Sequence, residues 1–382
     1  MLKPQTIFGP GLGGPSNYYR IPSIITTKSG TLVACADARY CSAADNPNRI
    51  DKVVRRSTDG GESWGDFILA VSEQGTEQLE SSAAIDPVMV YVAAQNRIYL
   101  LYCHTPAGIG IRNCAQTIGE DANGQRPPND APTAYLMICH SDDEGLTWSA
   151  PRSLNHQVKK DYMSFLGPGP GIGIVKQHAP HQGRILIPVY YGTRVWPLQL
   201  SCCVIYSDDG GENWRMGESP NNTRFANGVQ LCDRSITETQ MLTESQLIEQ
   251  ADGTLKYFMR NHDDSRCVAT ACSHDGGASW TDFRFDPQLP QPICQLSVLT
   301  LADGRVVFLN PASREERKDG VLRLSLDGGE TFAHSRLFCK GDFVYSCMTQ
   351  LSDGRIGILY EPTGAGTHID FAIVSAEWIQ EG

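Results

Sequence analysis

Ser57-Thr58-Asp59-Gly60-Gly61-Glu62-Ser63-Trp64 is one of five copies of a short pattern. The others read SDDEGLTW from Ser141 to Trp148, SDDGGENW from Ser207 to Trp214, SHDGGASW from Ser273 to Trp280, and SLDGGETF from Ser325 to Phe332. The common form is Ser-x-Asp-x-Gly-x-(Thr/Ser/Asn)-(Trp/Phe), and successive copies start 84, 66, 66 and 52 residues apart. A repeat at such intervals marks a repeated supersecondary unit. Within each copy, Asp bonds the backbone just downstream and Gly supplies positive φ without steric cost. The closing aromatic provides an apolar plug. Strand-like runs lead into the copies, such as Val53-Val54-Arg55-Arg56 and Cys202-Cys203-Val204-Ile205-Tyr206. Each copy is therefore expected to be a hairpin turn between two strands of a small antiparallel sheet. A calcium loop is the competing reading, but one recurrent carboxylate per turn is too few for a cage of six to eight oxygens.

Working outward from the turns, the chain reads as many short strands. Ile21 to Thr27 and Thr31 to Ala36 flank Lys28-Ser29-Gly30, a hairpin signal. Asp252-Gly253, Asp303-Gly304 and Asp353-Gly354 mark further turns without the aromatic plug. No long amphipathic helix is visible. Many strands with recurring turns point to radial repetition, an all-β propeller. Five turns allow five or six blades, and the strands outside the first and last copies leave room for a blade closed by both termini.

Two polar stretches, 37–50 and 216–233, and the long Gly-, Pro-, Asn- and Asp-rich stretch 104–132 read as loops. A loop as long as the last is either a functional element or a surface excursion. Gly167-Pro168-Gly169-Pro170 lacks the Gly-Lys-Ser/Thr ending of a phosphate loop and instead suggests a tight turn or close backbone approach.

The 382 residues are 41% hydrophobic and 20% charged, which is ordinary globular composition. A net charge of −11 argues against a nucleic-acid surface. An anionic ligand would need local positive charge against this background. The 13 cysteines form no Cys-x-x-Cys pair, so no zinc or redox motif is indicated. Cys35, Cys139, Cys202, Cys203 and Cys347 sit in apolar runs and read as small buried hydrophobes. There is no run of 18 apolar residues and no leader pattern at the N-terminus, so no membrane span is expected. A cytoplasmic location is expected for the chain as given, and a secreted one if a leader has been removed. Asn221-Asn222-Thr223 is a formal glycosylation sequon.

Charged residues beside apolar strand ends carry the chemistry. Arg20 lies in Tyr18-Tyr19-Arg20-Ile21-Pro22, Arg260 follows Leu255 to Met259, and Arg317 lies in Arg314-Glu315-Glu316-Arg317-Lys318. Three guanidinium forks drawn from different blades would suit a carboxylate on the propeller axis. Spacing alone also permits three solvated or paired arginines.

With these motifs the chain resembles the exo-sialidases (neuraminidases) of glycoside hydrolase family 33, of the bacterial type. The eight-residue repeats resemble that family's Asp boxes, and Tyr19-Arg20-Ile21-Pro22 resembles its Tyr/Phe-Arg-Ile-Pro motif. The likeness extends from about residue 17 to 375. It implies a six-bladed β-propeller forming a single catalytic domain over 1–382. Arg20, Arg260 and Arg317 would be the carboxylate-binding triad, with Arg314 as a neighbouring competitor for the third place. Asp45, at the end of Asp37-Ala38-Arg39-Tyr40-Cys41-Ser42-Ala43-Ala44-Asp45, would be the acid/base, with Asp51 nearby. Arg39 would help to bind sugar substituents. Glu244 in Thr243-Glu244-Ser245-Gln246 would partner the nucleophile, Tyr345 in Val344-Tyr345-Ser346. Glu361 after Leu359-Tyr360 would orient Arg20.

The implied reaction is retaining hydrolysis of terminal sialic acid from glycoproteins, glycolipids and oligosaccharides through a covalent tyrosyl intermediate. No cofactor or metal is required, and sialylated glycans are the expected partners. A trans-sialidase and a non-catalytic sialic-acid-binding propeller are the alternatives. The resemblance leaves linkage preference and oligomeric state open.

Overall fold

A computed structural model describes residues 4–73, 81–226 and 228–382. The chain is all-β and folds as a β-propeller. Antiparallel hairpins follow one another around a central axis, with innermost strands such as Tyr18–Thr26, Ala83–Val92, Leu242–Glu249, Ser297–Thr300 and Ser346–Gln350. Among the described residues, helix is confined to Asn155–Val158, Ala376–Gln380 and two short 3₁₀ turns, and none of it is long and apolar enough to cross a membrane.

Among the described residues, the sheets comprise three of four strands, one of five, one of nine, and a two-stranded hairpin at Phe225–Ala226 and Val229–Gln230. Only four of them have the four or five strands of a single blade, so six separate blades are not seen. The nine-stranded sheet contains two runs of strands joined by one parallel pair, Ile50 with Ala83. One four-stranded sheet takes its outer strand, Gln5–Phe8, from the start of the chain and the neighbouring Ile369–Val374 from its end. Both termini are thereby held in a single sheet, as the sequence suggested.

All five repeats are hairpin turns with one internal network. In the first, Ser57 Oγ donates to Asp59 Oδ1 at 2.7 Å and accepts from the Gly61 amide at 2.9 Å. Asp59 also accepts from the Ser63 amide at 3.0 Å and from Ser63 Oγ. The same contacts recur at Asp143, Asp209, Asp275 and Asp327. The conserved glycine of each copy has φ between +85° and +100°. At Gly61 an added Cβ would also come 2.3 Å from the Phe371 ring, so two constraints exclude a side chain there. The aspartates are consumed by their own turns, which supports the staple reading over the calcium one. The plugs Trp64, Trp214, Trp280 and Phe332 are buried.

Each turn joins the third strand of a unit to its outer strand, as Ile50–Ser57 to Ile68–Val71 and Lys318–Ser325 to His334–Asp342. The five turns therefore share one end of the propeller. Polar side chains sew the inner strands together around the axis. Gln295 bridges Ser346 and Pro170, Ser297 accepts from the Met348 amide, and Ser23 donates to Gly171 O at 2.6 Å. Gly169 permits the close approach expected of the Gly-Pro run, since a Cβ there would lie 3.0 Å from Ser245 O.

All five cysteines read as small hydrophobes are buried. The sequon asparagine Asn221 is also buried, with its amide donating to Ser201 Oγ. The strand Leu32–Arg39 runs further than expected, so the first polar loop begins only at Tyr40.

Asp59→Ala removes a carboxylate that accepts from three donors and should destabilise the protein by about 1–2 kcal/mol in denaturant unfolding. These turns also set a pH dependence. Hydrogen bonds from Ser63 and Ser57 hold the Asp59 carboxyl down at about 2, and Asp209 and Asp327 lie equally low. A carboxylate with a depressed folded pKa contributes stability that is present above its unfolded value and is lost as pH falls through the folded one. The melting temperature should therefore drop between about pH 4 and pH 2, with a smaller drop in Asp59→Ala.

Candidate active site

At the end of the propeller opposite the repeat turns, three inner strands bulge. The register shifts between Arg20 and Ser23, between Ile85 and Val88, and between Leu242 and Ser245. A bulge inserts a residue and re-aims a side chain. The residues so aimed are Arg20, Asp86 and Glu244. Ile21 and Asp86 both have φ of +60°, which is costly for side chains other than Gly and is typical of positions held by a functional site.

Tyr345, just before the strand Ser346–Gln350, is the centre of the cluster. Its hydroxyl donates to Glu244 Oε1. Arg260 Nη1 lies 2.5 Å from Glu244 Oε2 and 3.2 Å from the Tyr345 hydroxyl. The guanidinium carbons of Arg20 and Arg317 lie 5.2 Å and 5.8 Å from the Tyr345 ring centroid. Three arginines from distant parts of the sequence thus surround one phenol. Burial, and then the Glu244 charge, push the Tyr345 hydroxyl well above its ordinary value, against the pull of Arg260 and Arg317. The phenol is neutral at rest and bonded to the Glu244 carboxylate.

Glu361, directly after Ile356–Tyr360, is buried. Its Oε2 accepts from Arg20 Nε and Nη2 at 3.3 Å each, and its Oε1 from the Ile21 amide at 2.7 Å. One carboxylate therefore holds both the Arg20 side chain and the bulged backbone beside it. Arg317 donates to Ile293 O at 3.2 Å and forms no ion pair among the described residues. Arg314, its competitor by sequence, points instead to Ser265 O and Cys267 Sγ.

Asp45 stands on the loop after Arg39 with its side chain 65% exposed. Its Oδ1 accepts from Arg39 Nη1 at 2.7 Å and lies 3.7 Å from Arg20 Nη1. Burial of the loop works to raise this carboxyl, but Arg39, Arg20 and Arg317 outweigh it and hold it below the usual carboxylate range. Asp51 is buried and occupied by Tyr40 and Arg49, which removes it as a rival. Arg39 departs from expectation. It is fully buried, and its two terminal nitrogens are taken by Ala43 O, Asp45 and Asp37. That geometry does not favour contact with sugar substituents.

A cavity of about 450 Å³ opens over this cluster, with Ile21, Asp45, Asp86, Ile111, Tyr190 and Tyr345 among its walls. Arg20 and Arg317 line an adjoining recess with Lys318 and Asp342. The long stretch 104–132 is hence no idle excursion, since Gly110 to Asn113 wall the cavity. A larger cavity of about 1020 Å³ is lined by residues such as Leu247, Val298 and Leu326 and contains none of these groups.

Asp86 was missed by the sequence reading. Burial, followed by the charges of Asp37, Glu244 and Asp45, pushes its carboxyl up to about 8. A neutral acid on the cavity wall can donate a hydrogen bond at neutral pH. Tyr190 donates to its other oxygen at 3.0 Å. The available signal was a charged residue inside the apolar run Ala83-Ala84-Ile85-Asp86-Pro87-Val88.

A BNR repeat-like domain model matches residues 30–358 of the chain. A sialidase of Bacteroides fragilis is 32% identical over 374 residues, covering 93% of this chain. The chain spans 62% of that relative's length. Among solved structures, a Hadza microbial sialidase is 29% identical with a TM-score of 0.79, covering 95% of this chain and 67% of the other. A leech intramolecular trans-sialidase complexed with 2,7-anhydro-Neu5Ac superposes with a TM-score of 0.84 at 24% identity, covering 100% of this chain and 71% of the other, a likeness of fold. The match over most of its length shows that the chain belongs to the BNR repeat-like family.

Proposed function

We propose that the chain is a retaining exo-α-sialidase that hydrolyses terminal sialic acid from glycoproteins, glycolipids and oligosaccharides. The observation that carries this reading is the buried phenol of Tyr345, bonded to Glu244 and ringed by Arg20, Arg260 and Arg317. Sialic acid bears a carboxylate on its anomeric carbon. A carboxylate nucleophile would meet that charge head-on, whereas a phenol would not. The three arginines would bind the sugar's carboxylate, with Glu361 orienting Arg20.

In the first step Tyr345 Oη bonds to the anomeric carbon while the glycosidic C–O bond breaks. Glu244 takes the phenolic proton and Asp45 gives its proton to the leaving oxygen. In the second step a water oxygen bonds to the anomeric carbon and the Tyr345–sugar bond breaks. Asp45 takes the water proton, and Glu244 returns one to Tyr345. Two displacements retain the anomeric configuration. Asp86 would donate to a polar sugar substituent in the cavity.

We further read the propeller as six-bladed and residues 1–382 as one catalytic domain. Support comes from the single-pair junction at Ile50–Ala83, on either side of which the nine-stranded sheet divides into two units like the others. The second reading, intramolecular transfer, is favoured by the likeness to the leech enzyme, whose bound sugar is an anhydro form.

Tyr345→Phe should fold normally, with an unchanged circular dichroism spectrum, and lose turnover of a fluorogenic α-sialoside by roughly 10³-fold or more. Normal turnover in that variant would sink the mechanism. Glu361→Gln should weaken Arg20 and raise KM by about 10-fold, in line with the loss of one charge-assisted hydrogen bond. NMR of the reaction on sialyl-lactose should show free α-sialic acid as the first product. Accumulation of an anhydro sugar instead would assign the chain to the transfer reading.

A further inference from the structure

Lys52 is fully buried, although a lysine loses much of its hydration when removed from water. It lies in register with Asp37 on the neighbouring strand, and Asp37 lies in register with Arg20 on the next. Its ammonium group bonds Asp37 Oδ1 and donates to Ala84 O at 2.8 Å, at the junction of the two runs of the nine-stranded sheet. The other oxygen of Asp37 accepts from Arg39 at 3.0 Å. Arg39 in turn holds Ala43 O and Asp45 Oδ1, each at 2.7 Å. Lys52, Asp37 and Arg39 are all shut off from solvent, and the line they form ends on the exposed Asp45.

Resting on the sialidase reading above, we propose that Lys52 is a positioning residue for the acid/base Asp45, acting through Asp37 and Arg39. Asp37 alone would neutralise Arg39. By satisfying Asp37, Lys52 leaves the Arg39 charge to act on Asp45, fixing its loop and setting its affinity for a proton. Asp45 is faced by Arg39, Arg20 and Arg317, with Asp86 also within range of its charge. Lys52 is faced by Asp37, and its charge is felt at Asp86, Cys35 and Cys103.

The test compares kcat/KM on two substrates across pH. 3′-Sialyl-lactose has a poor leaving group that needs the proton from Asp45, whereas p-nitrophenyl sialoside departs with little help. The ratio of the two does not depend on how much of a preparation is active. On the acid side of the profile, where Asp45 is protonated in both proteins and only the hold on its loop differs, Lys52→Met should lower kcat/KM on sialyl-lactose by about 10-fold or more while changing the aryl substrate by less than about 3-fold. Asp45 must be protonated in the first step, so activity falls as pH rises through its pKa. Removing a positive charge raises that pKa, so the basic limb of the profile should move up by roughly half a unit or more.

Lys52→Arg should restore both readouts. Asp37→Asn leaves both cations and should move the limb the opposite way, and it decides the matter if Lys52→Met does not accumulate. An equal loss on both substrates, an unmoved limb, or no change at all would overturn the role of Lys52. Failure of the unaltered protein on both substrates would instead overturn the sialidase reading.

Discussion

Guanidinium groups gathered in a partly buried cleft repel one another, and the centre of this molecule is arranged around containing that repulsion. Arg20 is held by Glu361, Arg260 by Glu244, and Arg39 by Asp37 and Asp45. Lys52 adds a fourth cation and shares Asp37. Among the described residues Arg317 forms no ion pair and donates to the Ile293 carbonyl. Arg20, Arg260, Arg39, Lys52 and Arg317 thus face the carboxyl groups of Glu361, Glu244, Asp37 and Asp45, an excess of one cationic side chain. In a chain of net charge −11, that local excess is what an anionic sugar would meet.

The propeller supplies the framework for this arrangement. Its repeat turns close one end of the hairpins with hydrogen bonds internal to eight residues, so they need nothing from the axis. The other end is free to depart from regular pairing. It does so at three bulges, where Ile21 and Asp86 take up positive φ. Glu361 secures one of these by bonding the Ile21 amide and the Arg20 side chain together. A rigid rim and a strained rim are thus two ends of the same strands.

Much of the site was legible in the sequence because it lies in short contiguous motifs. Tyr19-Arg20-Ile21-Pro22, Val344-Tyr345-Ser346 and Leu359-Tyr360-Glu361 each set a polar side chain at the boundary of an apolar strand. Asp86 sits inside an apolar strand, where a lone charge carries no periodic signature, and Lys52 is one of four charged residues in Ile50–Ser57, where nothing in the pattern singles it out. Arg39 ends the strand Leu32–Arg39 instead of lying in the loop and is turned inward, because motif position does not say whether a side chain faces solvent or the interior of the blades. The blade count stayed open for a similar reason, since a single backbone pair between Ile50 and Ala83 leaves no mark on residue patterning.

The sequence by itself determined the all-β class, the five stapled turns and the chemical types present, since Asp-Gly turn chemistry and strand patterning act over a few residues. Tertiary structure decided which charges meet. Arg20 and Glu361 are 341 residues apart, and Tyr345 and Glu244 are 101. Their pairing depends on ring closure and on bulges that rotate each side chain toward one axis. Proton affinity follows from that closure too, because Asp86 rises and Asp45 falls only once burial and neighbouring charges act on them together.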